Sequence, residues 1–244
     1  MNNLKQLLLF LLVTLLLSSC ASYKSKLQTE AVTFPELGSF SNIEGDYWYK
    51  SSEQIGAFEM EEPLLVSQQE LPFNKATYAK YTKYLENANR INSVAFTDSM
   101  PFKPKYIRLQ LLDKITLTSL VNNKENTNIR AYLQNDPNFK LITQIDVTTT
   151  DELRELFSQS KTVLLKKGAN NKHILLIQNS QGYREIDFSH LEVFSYNYVS
   201  FCWGEDRYHS KIIKLLVEGD SGCPAATYKK ASKVKSIEKS YLKL

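Results

Sequence analysis

Residues that carry most enzyme chemistry are scarce in this sequence. Its 244 residues include three histidines, three cysteines and eight glycines. The histidines, His173, His190 and His209, lie at no spacing typical of zinc ligands, which disfavours a metal site. The glycines are scattered, and none belongs to a glycine-rich turn followed by Lys-Ser or Lys-Thr, which disfavours a phosphate-binding loop. We therefore predict no metal and no cofactor.

A hydrophobic run long enough to cross a bilayer is also missing. The apolar stretch from Leu7 to Leu17 is interrupted only by Thr14 and has eleven residues, whereas a membrane-spanning helix needs about 20. Lys5 precedes this stretch and makes the N-terminus positive. Such a layout is typical of a secretory signal peptide.

The signal ends in Leu17-Ser18-Ser19-Cys20. This sequence resembles the lipobox of bacterial lipoproteins, which has an aliphatic residue, two small residues and then a cysteine. The resemblance implies that residues 1–19 are removed, that Cys20 carries a thioether-linked diacylglycerol, and that the new N-terminus is acylated. It also implies that the protein is anchored to the lipid bilayer of the cell envelope, on the periplasmic face or the cell surface. An ordinary signal peptide with a chance cysteine is the alternative.

Composition predicts three segments behind the signal. Residues 20–40 contain many polar residues and are interpreted as a tether between lipid and domain. Residues 41–227 have the composition of one globular domain. Residues 228–244 carry six lysines against Glu238, and are interpreted either as a basic helix that lies on anionic lipid or an acidic partner, or as a frayed tail. Because the body is slightly acidic, we predict no nucleic-acid binding.

Once Cys20 is lipidated, two cysteines remain. In an oxidising compartment the pair Cys202 and Cys223 predicts a disulfide. Closing a loop of about 20 residues stabilises a fold by roughly 3 kcal/mol in the chain-entropy model. Two buried free thiols are the alternative.

Hydrophobic periodicity predicts a single α+β domain with a mostly antiparallel sheet and a few short helices. Asn74 is a good N-cap for a helix over 75–89, with Phe73 placed to pack on Tyr78. A weaker helical pattern covers 127–135. Strands are predicted over 106–112, with a continuation over 114–121 after a bulge, and over 141–147, 163–165, 174–177, 183–188 and 192–203, whereas 208–217 fits a strand or a helix.

Two further local patterns bear on the fold. Thr149 and Glu152 are spaced as a capping box for a short helix that points Leu153, Leu156 and Phe157 inward. The stretch from Gly45 to Trp48 resembles the first strand of lipocalin-like domains, with Trp48 one position too late. Turn residues between the strands over 163–165, 174–177 and 183–188 predict a three-stranded meander.

One motif suggests catalysis. Gly219-Asp220-Ser221-Gly222 resembles the nucleophile motif of chymotrypsin-like serine proteases, which implies that Ser221 would attack and a neighbouring amide would stabilise the oxyanion. That family places its histidine far upstream, whereas His173 is the earliest histidine here. The family also needs strands after the serine, where only 23 residues remain. The pattern therefore favours a turn that brings Cys223 toward Cys202.

The sequence predicts a non-catalytic lipoprotein that binds another envelope component, a protein. One alternative is a glycan or small-ligand binder that uses its aromatic residues, with Trp48 and Trp203 as the candidate contacts. Another is a serine hydrolase using Ser221 with His209 or His190. The sequence leaves the partner, the choice of membrane and the oligomeric state open.

Overall fold

A computed structural model describes residues 34–45, 50–92, 94–169 and 172–234. Ten strands form a curled antiparallel sheet. Their bounds are β1 Ser39–Gly45, β2 Lys50–Ala57, β3 Leu64–Pro72, β4 Lys105–Gln110, β5 Phe139–Thr148, β6 Thr162–Lys167, β7 His173–Asn179, β8 Gly182–Ile186, β9 Glu192–Glu205 and β10 Lys211–Glu218.

Four short α-helices accompany the sheet in the described part of the chain. They are α1 Lys75–Asn87, α2 Lys114–Asn122, α3 Thr127–Leu133 and α4 Asp151–Ser158. The sheet dominates the fold, so the predicted antiparallel sheet with a few short helices is confirmed and the α+β description holds only in outline.

The strands follow the order β10-β9-β5-β4-β3-β6-β7-β8, and β1 pairs with both β2 and β5. Strand β3 changes partner along its length: Leu64–Val66 pair with β6, and Ser67–Pro72 pair with β4. A strand that belongs to two ladders lets the sheet curl around the side chains on its inner face. The main hydrophobic core therefore lies inside the curl.

The main core is built on β5, which is buried at every position. Leu141 and Ile145 of β5 pack there with Leu109 of β4. Helix α2 closes one side of this core because Asn122 receives a hydrogen bond from the Ile213 amide (3.1 Å) and donates one to the Ile213 carbonyl oxygen (2.7 Å) of β10.

A second, aromatic core lies on the opposite face of the sheet. Tyr106 alternates with Ile107 along β4, so their side chains point to opposite faces. Helix α1 covers the face of Tyr106, where five aromatic rings pack together: Phe73, Tyr81, Tyr84, Tyr106 and Phe194. The ring centroids of Phe73 and Tyr106 are 5.1 Å apart. The aromatic residues of α1 are thus mostly structural.

Local sequence signals predicted α1 well. The Asn74 side chain accepts a hydrogen bond from the Thr77 amide (2.9 Å) and caps the helix. Phe73 packs edge-on against Tyr78, with centroids 5.9 Å apart. The predicted meander is confirmed as β6, β7 and β8, and residues 211–218 form a strand.

Two local predictions are wrong. Residues 114–122 form helix α2 and do not continue β4, because the Asp113 carboxylate accepts hydrogen bonds from the Ile115 and Thr116 amides and starts a helix there. The cap of α4 is Thr150 and not Thr149, since the Thr150 hydroxyl accepts from the Leu153 amide. The inward positions of α4 are as predicted.

The folded body extends beyond both predicted boundaries. Leu37 and Phe40, assigned to the tether, are fully buried in the main core. In the segment assigned to the tail, Tyr228 pairs with Trp203 as an isolated β-bridge, and Ala231 and Val234 are buried. Residues 20–33 and 235–244, the rest of the predicted tether and tail, lie outside the described part of the chain. So do Cys20, the signal peptide and residues 46–49.

Candidate functional site

The predicted nucleophile Ser221 is not placed beside a histidine. His209 lies in the β9–β10 turn, where its Nδ1 is 3.1 Å from Glu205. Ser221 follows the other end of β10, so the eight residues of that strand separate the two by about 26 Å. His190 precedes β9, whereas the Ser221 turn begins near Val199, in the middle of that strand. No hydrogen bond of the described residues joins the Ser221 side chain to either histidine.

The neighbouring Asp220 explains the motif as structure. Its carboxylate accepts a hydrogen bond from the Tyr198 hydroxyl (2.8 Å) and lies 3.3 Å from the ammonium of the buried Lys140. The Lys229 ammonium donates to the Asp220 carbonyl oxygen (2.6 Å). Gly219 has a φ of +55°, which glycine adopts without strain. The motif is a tight turn that is held on three sides.

The predicted disulfide between Cys202 and Cys223 is confirmed, with a Cα–Cα distance of 5.6 Å. It ties the segment after this turn to the centre of β9.

Of the two tryptophans, the structure describes Trp203, and it is not available as a ligand contact. Trp203 is only 2% exposed and belongs to the main core. Its backbone pairs with Tyr228, which holds the strand and the C-terminal segment together. The ligand contact predicted for Trp203 is therefore replaced by a structural role. Trp48 lies outside the described residues.

The third histidine is a core residue. His173 is buried, its Nε2 lies 3.0 Å from the Phe58 carbonyl oxygen, and its ring packs on Phe58 with centroids 4.7 Å apart. Burial lowers the pKa of His173, which favours the neutral imidazole. In the part of the chain that the structure describes, no three His, Cys, Asp or Glu side chains are grouped to hold a metal ion.

The best-formed site is a cleft at the start of β3. It has a volume of about 650 Å³ and lies between β3, β6, the start of α2 and the end of α4. Its apolar lining includes Leu64, Val66, Leu111, Leu117 and Phe157. A volume of this order is typical of ligand-binding clefts.

The cleft opens because the β3–β4 ladder stops early. Ser67 and Gln110 are its last pair. In that register Val66 and Leu111 would pair next, followed by Leu65 and Leu112. Leu111 stays with β5 instead, donating a hydrogen bond to the Thr143 carbonyl oxygen (2.8 Å). The two strands therefore diverge, and the cleft (called the β3 cleft below) fills the gap between them.

The same ladder shows which backbone groups face the β3 cleft. The Phe73 amide donates to the Pro104 carbonyl oxygen (2.9 Å), which extends the β3–β4 register by one pair. Backbone groups alternate along an antiparallel strand, so the odd-numbered residues of β3 point their N–H and C=O toward β4. By this alternation Leu65 points both groups into the gap. No β4 residue in the described chain pairs with it.

Two large, exposed apolar side chains line this opening. Leu65 is 69% exposed and Leu112 is 62% exposed. Isolated exposed leucines are common, but a contiguous apolar rim around a cleft is a feature of binding surfaces.

The polar groups of the β3 cleft are already engaged in the fold. The Ser160 hydroxyl donates to Gln68 Oε1 (2.9 Å), and Gln68 Nε2 donates to the Phe157 carbonyl oxygen (3.0 Å). Hydrogen bonds from Thr116 lower the pKa of Asp113 and keep its carboxylate as a helix cap. The β3 cleft can therefore bury apolar groups of a ligand and pair with its main chain. Its described lining contains no hydrogen-bonded pair of an acid and a base.

Sequence reasoning missed the β3 cleft. Its one local signal was the two leucine pairs, Leu64-Leu65 and Leu111-Leu112. Within a strand, adjacent apolar residues point to opposite faces, so one of each pair must leave the core. That the two outward leucines face one another across a gap depends on strand pairing, which local sequence does not encode.

No family model, no curated protein and no solved structure matches this chain. No helix of the described residues is long and apolar enough to cross a membrane.

Proposed function

We propose that this chain is a lipid-anchored, non-catalytic protein of the bacterial cell envelope, in which one α+β domain binds another envelope component, a protein. The lipobox at Cys20 supports the anchor. The β3 cleft supports the binding role, and the early end of the β3–β4 ladder is the observation that carries it.

The β3 cleft fits an extended segment of a partner protein. A peptide laid along the gap can pair its backbone with the N–H and C=O of Leu65, as in strand addition to a sheet edge. Pro63 has no N–H and stops this edge from extending. Most of the affinity must therefore come from apolar side chains that bury Leu65 and Leu112, each contributing at most about 1.5–3 kcal/mol.

Site-specific photo-crosslinking in intact cells tests the binding role. A photoreactive residue is placed at Lys161, an exposed position that lines the β3 cleft, and at Tyr183, an exposed position on β8. We expect one discrete protein adduct from position 161 and none from position 183. The double substitution Leu65→Asp and Leu112→Asp should abolish that adduct, because it puts charge on the apolar rim.

The control is Tyr183→Asp, which likewise places a charge at an exposed position, but away from the β3 cleft. All these changes are on the surface, so the free energy of unfolding should shift by about 0.5 kcal/mol or less. Equal adducts from both positions, or an adduct that survives the double substitution, would overturn the binding site.

The anchor is tested separately by the mass of the chain extracted from membranes. A chain that begins at Cys20 and carries a diacylglycerol and an added acyl group supports the proposal. A Cys20→Ala variant should lack both, and an unmodified wild-type Cys20 would contradict the anchor.

A second candidate is binding of a small apolar ligand in the β3 cleft, which its volume favours. A purified chain whose thermal unfolding midpoint rises with a lipid or cell-wall fragment, and whose rise is lost in the Leu65→Asp and Leu112→Asp variant, would establish this function instead.

A further inference from the structure

Two large apolar side chains protrude from the loop between α1 and β4, residues 88–104. Ile91 is 93% exposed and Phe102 is 90% exposed, the highest values for large hydrophobic side chains in the described chain. Side chains of this kind lose the most hydrophobic free energy when they stay in water. The exposure of Ile91 and Phe102 therefore indicates that a binding partner covers them.

The described part of this loop is fixed by α1. The Tyr78 hydroxyl donates to the Val94 carbonyl oxygen (2.8 Å) and accepts from Asn92 Nδ2 (2.7 Å). The Phe96 ring packs on Tyr78 with centroids 4.8 Å apart. Ile91 precedes Asn92, and Phe102 precedes Lys103, whose ammonium lies over the Phe96 ring. Both apolar side chains thus stand on the same support.

The first described residue of the chain also packs on this side of the domain, against α1. Phe34, the first described residue, packs edge-on against Tyr84 of α1, with centroids 5.4 Å apart. Phe34 shares a surface depression with Ala88 and Arg90, at the end of α1 where the loop begins. Cys20 lies fourteen positions before Phe34, so the proposed lipid anchor lies within about 50 Å of this surface.

The surface formed by α1 and this loop is positively charged. Residues 75–104 include five basic residues and two acidic ones. Lys75, Lys80 and Lys83 of α1 are exposed. Arg90 and Lys103 stand next to Ile91 and Phe102 in the sequence and pair with Glu192 and Asp98. Basic residues beside protruding apolar side chains match the interface of a bilayer that contains anionic lipid.

We propose that the α1–loop surface rests on the membrane, with Ile91 and Phe102 inserted among the lipid headgroups and the basic residues against anionic phosphates. This inference depends on the proposed lipid anchor at Cys20. It gives the domain a defined orientation, in which the anchor and the two apolar side chains hold the same face toward the bilayer.

Depth-dependent fluorescence quenching tests this orientation. The full-length lipidated protein carries Phe102→Trp or, as the matched control, Tyr183→Trp, and is reconstituted into phosphatidylcholine–phosphatidylglycerol vesicles with brominated acyl chains. Emission of the parent protein is subtracted to remove Trp48 and Trp203. We expect the tryptophan at position 102 to lose about half of its emission and the one at position 183 to lose almost none.

Two control outcomes separate the possibilities. A lipidated protein with equal quenching at both positions would overturn this inference and leave the anchor intact. A wild-type mass without lipid at Cys20 would remove the anchor and this inference together. Replacing phosphatidylglycerol with phosphatidylcholine should reduce the quenching at position 102, and quenching that is independent of anionic lipid would overturn the assigned role of the basic residues.

Discussion

The two ends of β3 expose hydrophobic side chains in different ways. At its start, Leu65 borders a concave cleft in which two strands diverge, and no β4 residue of the described chain pairs with it. Its last residue, Pro72, leads into Phe73, whose amide bonds Pro104 beside the convex loop that carries Phe102. The concave cleft can enclose a peptide segment, whereas the convex loop can only contact a broad surface. Exposure alone therefore does not define the partner, and local shape and charge do.

The largest effects on stability should come from replacing the buried phenylalanine near each end of β3. Phe73 and Phe157 are both fully buried, one in the aromatic core and one beside the β3 cleft. Either substitution to alanine should lower the free energy of unfolding by about 3–5 kcal/mol, measured by urea denaturation. Phe73→Ala should abolish the membrane contact of the loop and leave the crosslink at Lys161 in the folded fraction, whereas Phe157→Ala should do the reverse. Loss of both contacts in either variant would show that the two ends are not independent.

Loss of the disulfide should affect the fold without distinguishing the two ends. Cys202 and Cys223 bind the segment after β10 to β9. We expect the double substitution to alanine to lower the free energy of unfolding by about 3 kcal/mol, again by urea denaturation. Crosslinking at Lys161 and quenching at position 102 should persist under conditions in which the variant is folded. A selective loss at one end would mean that the bridge supports that end directly.

A smaller effect is expected from Tyr78→Phe, which keeps the ring and removes the hydroxyl. That hydroxyl holds both Asn92 and Val94, so its loss should cost about 1 kcal/mol. Hydrogen exchange should become faster in the α1–β4 loop and stay unchanged in β6. Tyr183→Phe, on the surface of β8, is the matched control. Unchanged exchange in the loop would contradict the fixed support that we assign to Tyr78.

The smallest effect should be a pH dependence confined to the end that contains the β3 cleft. His173 packs near Leu165, the partner of Leu64 in β6, and faces the ion pair of Glu59 and Lys167. Its pKa is lowered in the fold because burial disfavours the charged ring. The unfolded chain therefore takes up a proton first, and stability present above about pH 6.5 is lost as the pH falls toward the folded pKa.

Hydrogen exchange, corrected for its intrinsic pH dependence, measures this effect. Amides of β6 and β7 should open more readily at pH 5.5 than at pH 7.5, while those of α1 should not change. A His173→Gln variant should lose the difference. An equal change in α1 would assign the pH dependence to other groups.

Much of the fold follows from short-range signals. Asn74 with Thr77 starts α1, the turn residues between β6, β7 and β8 define the meander, and the paired cysteines form their bridge. Errors arose where tertiary packing decides. The pattern at 114–121 suits a strand or a helix, and the Asp113 cap selects the helix. Leu37 and Phe40 stand among polar neighbours, yet the main core needs both.

The candidate site was less predictable than the fold. Each leucine of the β3 cleft is ordinary in its own segment, and the site exists because β3 is paired with β4 only from Ser67 onward. Local patterns predicted Ser221 as a candidate nucleophile and Trp203 as a candidate ligand contact. Their roles as turn and core residues depend on partners far away in the sequence.

The pairing of β1 with β5 has a consequence for how the molecule is assembled. Phe40 lies opposite Leu141, about a hundred residues later, so the first strand cannot complete its hydrogen bonds until the middle of the chain is present. Such distant pairing slows folding, because a long loop must close before the contacts stabilise it. Under the export and lipidation that we propose, this delay gives time for Cys20 to be processed before Leu37 and Phe40 are drawn into the core.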